Sequence, residues 1–134
     1  MDARVNEVEL IKAQSRGLRG TLRESLGDEL TGALAPADAQ ICKFHGFYEQ
    51  DDRDHRQERA ERFLEPRYQM MLRARLPGGV CTPEQWLAID AVGQELGNGT
   101  IRLTTRQTFQ LHGVLKHQLK PLIQRINRVM IDSI

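Results

Sequence analysis

Hydrophobic and polar residues follow the clearest pattern in the second half of the chain. Residues 68–76 alternate in their second half with the period of a β-strand, placing Leu72 and Ala74 on one face and Arg73 and Arg75 on the other. Pro77, Gly78 and Gly79 then predict a turn that ends the strand.

A helix is predicted immediately after this turn. Thr82 has the side chain of an N-cap residue, Pro83 fits the first helical position, and Gln85 completes a capping box. The apolar positions continue to Leu96, where Gly97-Asn98-Gly99 predicts the end of the helix.

A two-stranded hairpin is predicted next. Residues 100–104 form its first strand and residues 107–115 its second, with a tight turn near Thr105. Phe109 and Leu111 are predicted to face the core. The polar positions predicted to face away from it are Arg102, Thr104, Thr108, Gln110 and His112.

A final helix is predicted to open at Pro121, with Leu122, Ile126 and Val129 on one side. The resulting order of strand, helix, strand, strand and helix is most of a split βαβ, or ferredoxin-like, unit. Its last strand would fall at residues 130–134, where the chain stops. We therefore predict an α+β fold with an incomplete ferredoxin-like half-domain at 67–134, in a chain that is a fragment.

Residues 1–66 have weaker periodicity and predict an irregular, loop-rich amino-terminal segment. A short helix is expected around residues 5–11, a loop at Ala33–Ala39 and a strand at Ile41–Tyr48. The run of mixed charges at Glu49–Arg62 predicts a solvated helix or loop with weak ion pairs.

Composition narrows the functional classes. The 134 residues suffice for one domain, and no apolar run is long enough to span a membrane. The start has no apolar signal region, so the cytoplasm is the expected compartment. Cys42 and Cys81 lie too far apart in sequence to suggest a disulfide framework or a complete metal site.

Charge is unevenly distributed although the formal net charge is only +1. Residues 96–131 contain no Asp or Glu but six Lys or Arg, which indicates an anionic ligand. The arginines of the predicted sheet face either bind such an anion or belong to an ordinary solvated face. No nucleophile–base pair or carboxylate pair is recognisable, so an enzyme built on this chain would need a cofactor or a further segment.

Four stretches resemble one enzyme family: Arg19-Gly20, FHGFYEQDDRDHRQERAERFLEPR at 44–67, MLRARLPGGV at 71–80, and IRLTTRQTFQLHGVLK at 101–116. They resemble the amino-terminal part of the assimilatory NADPH-type sulfite reductase hemoproteins (the beta subunit), in the siroheme-containing nitrite/sulfite reductase family. The resemblance runs from about Leu18 to the chain end. It also suggests that residues 1–66 are an extended segment that wraps against the rest of the hemoprotein.

The resemblance implies reduction of sulfite to sulfide with six electrons, which a flavoprotein (FAD/FMN) subunit supplies. Siroheme, bridged through a cysteine to a [4Fe–4S] cluster, is the implied cofactor, and the cluster ligands would lie outside this chain. Arg73 is implied to contact the substrate anion, and Arg67 to support the pocket. The implied siroheme-binding residues are Arg102, Thr104, Arg106, Gln110 and His112.

The fragment alone is expected to be inactive, because the family's cluster cysteines and further basic substrate residues have no counterpart here. Two alternatives stay open, namely a fragment of an assimilatory nitrite reductase and a basic ferredoxin-like module that binds nucleic acid. Nucleic acid is disfavoured because the basic face lacks an aromatic pair on which bases would stack.

Overall fold

The computed structural model describes residues 5–134 and contains an antiparallel sheet with helices. The helices are α1 (Glu7–Gln14), α2 (Leu22–Gly27), α3 (Pro36–Phe44), α4 (Arg56–Glu61), α5 (Pro83–Leu96) and α6 (Leu119–Asn127). The strands are β1 (Phe47–Asp51), β2 (Tyr68–Arg75), β3 (Ile101–Leu103), β4 (Phe109–Val114) and β5 (Asp132–Ser133). None of the helices within the described residues is long and apolar enough to cross a membrane.

The sheet has the order β1-β2-β4-β3, and β5 also pairs with β2. From β2 onward the element order is βαββαβ, and β5-β2-β4-β3 is the strand order of a ferredoxin-like unit, so this prediction is confirmed. The prediction that the last strand is missing is wrong, because β5 is present as two residues, where Ser133 pairs with Ala74. Strand β1 occupies the other part of the same β2 edge, from Tyr68 to Leu72.

Helices α5 and α6 cover one face of the sheet. Leu72, Leu111, Ile89, Leu122 and Ile126 are all 0% exposed in the core between these layers. Thr82 and Gln85 form the predicted capping box, with hydrogen bonds of 3.0 and 3.1 Å. Successive strand residues point to opposite faces, so burial of the apolar set leaves the polar set on the opposite face of the sheet. We call this face, which α5 and α6 leave uncovered, the helix-free face.

The segment before β2 corrects two local predictions. The predicted loop at Ala33–Ala39 is wrong from Pro36 onward and the predicted strand is wrong at its start, because helix α3 spans Pro36–Phe44. Pro36 fits the first turn of this helix, where its missing N–H costs no hydrogen bond. The following strand begins only after Gly46, whose φ of +83° turns the chain into β1.

Asp38 connects α3 to the preceding residues. Its side chain is 1% exposed and accepts hydrogen bonds from the Thr21 N–H (2.9 Å), the Thr21 hydroxyl (2.6 Å) and the Ser25 hydroxyl (2.5 Å). On the opposite side of the segment, buried Lys116 donates to the Ala33 carbonyl at 3.0 Å. Residues 5–66 therefore share a sheet and a core with the rest, while a domain boundary at residue 66 stays a prediction.

Candidate anion-binding face

Three predicted site residues form one row across the helix-free face of the sheet. Arg73 on β2 is paired with Gln110 on β4, and Gln110 is paired with Arg102 on β3. Directly opposed residues on antiparallel strands have Cβ atoms about 4.5–5.5 Å apart, so the two guanidinium groups extend from either side of Gln110. We call Arg73, Gln110 and Arg102 the arginine row.

The arginines of this face have no carboxylate partner among residues 5–134. Within that part of the chain, ion pairs within 4 Å engage Arg56, Arg62, Arg67 and Arg125. Arg73 and Arg102, together with Arg106, form none. Planar guanidinium groups that have no acid beside them retain their full capacity to donate paired hydrogen bonds to an oxyanion.

The charge run contrasts with this face, because its ion pairs are internal. Arg56 binds Asp51 through two hydrogen bonds of 2.5 and 2.6 Å, which lower the pKa of the Asp51 carboxyl. The pKa of Asp52 is also lowered, mainly by a hydrogen bond with His55. The first three residues of the run lie in β1, and the rest forms a helical turn followed by α4, so the predicted ion-paired helix or loop is confirmed only from Asp52 onward.

Arg67 belongs to this paired group. Its Nη1 lies 3.7 Å from the Asp52 carboxylate, and its carbonyl accepts the Asp52 N–H at 2.9 Å. It precedes β2, whereas Arg73 is the sixth of that strand's eight residues. At about 3.3 Å per residue the two backbones are about 20 Å apart, so the structure does not bring Arg67 to the arginine row.

His112 lies beside Arg102 at a bulge in β4. The register between β2 and β4 shifts here, and Gly113 adopts a φ of +75°. The Nε2 atom of His112 is buried and has no hydrogen-bond partner. Burial, and secondly the charge of Arg102, lower the pKa of this imidazole below its ordinary 6.5. The ring is therefore neutral at pH 7, with one unsatisfied nitrogen.

The hollow next to His112 has a volume of about 520 Å³. His112, Arg102, Arg53 and Arg56 line it together with Glu49 and Asp51. Both carboxylates already have partners, since Glu49 accepts the Leu34 N–H at 2.6 Å and Asp51 binds Arg56. The hollow therefore retains unpaired donors on its Arg102 side.

Thr104 and Arg106 lie in the β3–β4 hairpin loop. The Thr104 N–H donates to the Thr108 carbonyl at 3.0 Å, and the Arg106 N–H donates to the Thr104 hydroxyl at 3.2 Å. The prediction that Thr108 faces outward is wrong, because its buried hydroxyl donates to the Ala74 carbonyl at 2.6 Å. This bond links the hairpin to β2, so the Thr108 hydroxyl is not available to a ligand.

Tyr48 is a residue of this face that the sequence reasoning did not connect with the site. Its ring centroid lies 5.1 Å from the guanidinium carbon of Arg73. Tyr48 is paired with Met71, so it is the diagonal neighbour of Arg73 across β1 and β2. No sequence signal could have revealed this contact, because the pairing of β1 with β2 has to be known first.

Known proteins resemble the chain in both sequence and fold. The family described as "Nitrite/Sulfite reductase ferredoxin-like half domain" matches residues 64–129. The sulfite reductase [NADPH] hemoprotein beta-component of Thiocapsa roseopersicina is 65% identical over 100% of this chain and 24% of its own length. The beta-component of Myxococcus xanthus is 60% identical over 97% of this chain and 23% of its own.

A solved structure agrees in fold. The Mycobacterium tuberculosis NirA protein superposes with a TM-score of 0.73 at 18% identity, covering 95% of this chain and 24% of that one. The chain thus spans about a quarter of the length of these relatives. The sequence matches show that this chain belongs to the nitrite/sulfite reductase family, whose ferredoxin-like half domain it carries at residues 64–129.

Proposed function

We propose that this chain is part of a cytoplasmic sulfite reductase hemoprotein that reduces sulfite to sulfide with six electrons. Its helix-free sheet face would contribute arginines to the pocket for siroheme and the substrate anion. The observation that carries the proposal is the arginine row, which has no acid partner among residues 5–134, in a chain 65% identical to a sulfite reductase hemoprotein beta-component.

The rest of the hemoprotein is required for activity under this proposal. The chain spans about a quarter of its relatives, so the fragment alone is inactive. Among residues 5–134 no cluster of His, Cys, Asp or Glu could hold a metal ion. Under this proposal the ligands of the [4Fe–4S] cluster lie in the rest of the hemoprotein, and a flavoprotein subunit would supply the electrons.

The residues of the face fit siroheme, which carries many carboxylates. Unpaired guanidinium groups and the orphaned Nε2 of His112 are the kinds of partner that such carboxylates need. The residues that would hold siroheme are Arg102, Thr104, Arg106, Gln110 and His112. Arg67, which lies apart from the arginine row and is paired with Asp52, would support the pocket only indirectly. Siroheme, when bound, supplies the redox chemistry.

Arg73 would bind the substrate anion. A guanidinium donates two parallel hydrogen bonds to the oxygens of a planar or pyramidal oxyanion, and its fixed positive charge stabilises negative charge that develops during reduction. The Arg73 backbone is held through both of its polar groups, because its N–H donates to the Gly46 carbonyl at 2.9 Å and its carbonyl accepts the Ile134 N–H at 3.0 Å. These bonds fix the point from which the side chain extends.

A hybrid enzyme tests this proposal. The matching quarter of the Thiocapsa roseopersicina beta-component is replaced by this chain, and sulfite reduction is measured with a chemically reduced viologen dye as donor. Arg73→Ala should lower kcat/KM for sulfite at least tenfold, whereas Arg128→Ala, an exposed arginine just after α6, should leave it unchanged. Equal activity of the Arg73 variant and the unsubstituted hybrid would show that the proposed role is wrong.

A further inference from the structure

We propose that Tyr48 is a positioning residue for the anion-binding arginine, through the stacking of its ring on the guanidinium of Arg73. This inference rests on the proposed function of Arg73 and adds a residue from outside the matched half domain, which begins at residue 64. The segment before the half domain would then complete the substrate site rather than only cover it.

The contact follows from the register of the sheet. Tyr48 is paired with Met71 on β1 and β2, so Arg73 is its diagonal neighbour on the same face. The ring centroid lies 5.1 Å from the guanidinium carbon, within the distance at which a cation and an aromatic face attract each other. On its other side Arg73 is paired with Gln110, so a ring and an amide side chain border the arginine.

The Tyr48 ring restricts the Arg73 side chain, as an ion pair with a carboxylate would otherwise do. A long arginine side chain that is only half-buried loses rotamer freedom when it is held in place, and a carboxylate would hold it only by neutralising its charge. No carboxylate within the described part of the chain lies within 4 Å of Arg73. An aromatic face restricts the guanidinium and leaves its N–H edge free to bind an oxyanion.

Gly46 allows β1 to reach this position. Its φ is +83°, and a Cβ atom there would lie 2.4 Å from the backbone nitrogen of Ile134. Three segments meet at Gly46, namely the end of α3, strand β2 and the chain beyond β5. Only glycine fits at this position. Tyr48 follows two residues later, so this close approach sets the register that places the ring beside Arg73.

The test compares two ligands of the hybrid hemoprotein. Sulfite affinity is measured from the visible spectrum of bound siroheme, and carbon monoxide affinity is measured in the same way on the reduced protein. Tyr48→Leu should weaken sulfite binding about two- to five-fold, the range expected for a half-exposed cation–aromatic contact. Carbon monoxide is neutral and does not need Arg73, so its affinity should not change.

Three variants make the outcome decisive. Tyr48→Phe keeps the ring and should bind sulfite like the parent. Tyr68→Leu changes the other tyrosine and should also bind sulfite like the parent. Arg73→Ala should bind sulfite far more weakly. The inference is overturned if Tyr48→Leu binds sulfite normally, or weakens both ligands equally, while Arg73→Ala has its expected effect. Normal sulfite binding by Arg73→Ala would instead refute the proposed role of Arg73, on which the inference depends.

Discussion

Replacement of Asp38 by alanine should destabilise the chain more than any substitution of an exposed acidic residue. The carboxylate is 1% exposed and accepts three hydrogen bonds, two from Thr21 and one from Ser25. Hydrogen bonds to a charged group contribute about 1.5–3 kcal/mol each. In the variant, the exposed Thr21 can replace its lost hydrogen bonds with bonds to water. Ser25 is only 9% exposed, so its hydroxyl is left largely without a replacement for Asp38.

The expected loss in the free energy of unfolding is therefore about 2–4 kcal/mol, less than the sum of three bonds. Asp38→Asn should lose less, because its amide oxygen can still accept one of these bonds. Urea unfolding followed by far-ultraviolet circular dichroism measures both changes. Asp90→Ala, at an exposed position of α5, is the control and should stay within about 0.5 kcal/mol of the parent. A loss below about 1 kcal/mol for Asp38→Ala would refute the reasoning that this carboxylate connects α2 to α3.

Two further predictions concern titration and reactivity. The pKa of His112, measured by NMR, should lie below 6.5. Because the unfolded chain then binds a proton at His112 more readily than the folded chain, the free energy of unfolding should fall as the pH drops from about 7 to 5. A pKa at or above 6.5, or the same pH dependence in His112→Gln, would contradict the burial of this ring. Burial raises the pKa of the Cys42 thiol to about 11, so iodoacetamide should modify Cys81 first and reach Cys42 only after unfolding. Equal rates of modification at the two cysteines in the native chain would contradict the burial of Cys42.

Local chemistry made the half domain predictable from sequence. The capping box at Thr82 and Gln85, the alternation along β2 and the inward-facing Phe109 and Leu111 all occur as expected, because each depends on neighbouring residues. The final helix begins at Leu119, two residues before the predicted Pro121, which lies in its first turn. Differences of this size are usual at helix ends.

Long-range contacts explain the errors. Helix α3 is stabilised by burial of Ile41 and by the bonds of Asp38 to residues 17 and 13 positions earlier, which no local pattern reveals. Thr108 lies at an outward-facing position of the alternation, yet the loop before β4 turns its hydroxyl toward Ala74. Two basic residues of the stretch 96–131 have partners that the sequence does not indicate, because Arg125 binds Glu95 and Lys116 donates to the Ala33 carbonyl.

The siroheme content of the hybrid hemoprotein tests the central claim most directly. The claim is that unpaired arginines on the helix-free face hold an anionic ligand, so removing them should release it. The ratio of siroheme absorbance to protein should fall severalfold in Arg102→Ala/Arg106→Ala and stay at the parental value in Arg125→Ala/Arg128→Ala, which removes the same charge from the α6 region. Full siroheme content in the first variant, with the fold intact, would contradict the account.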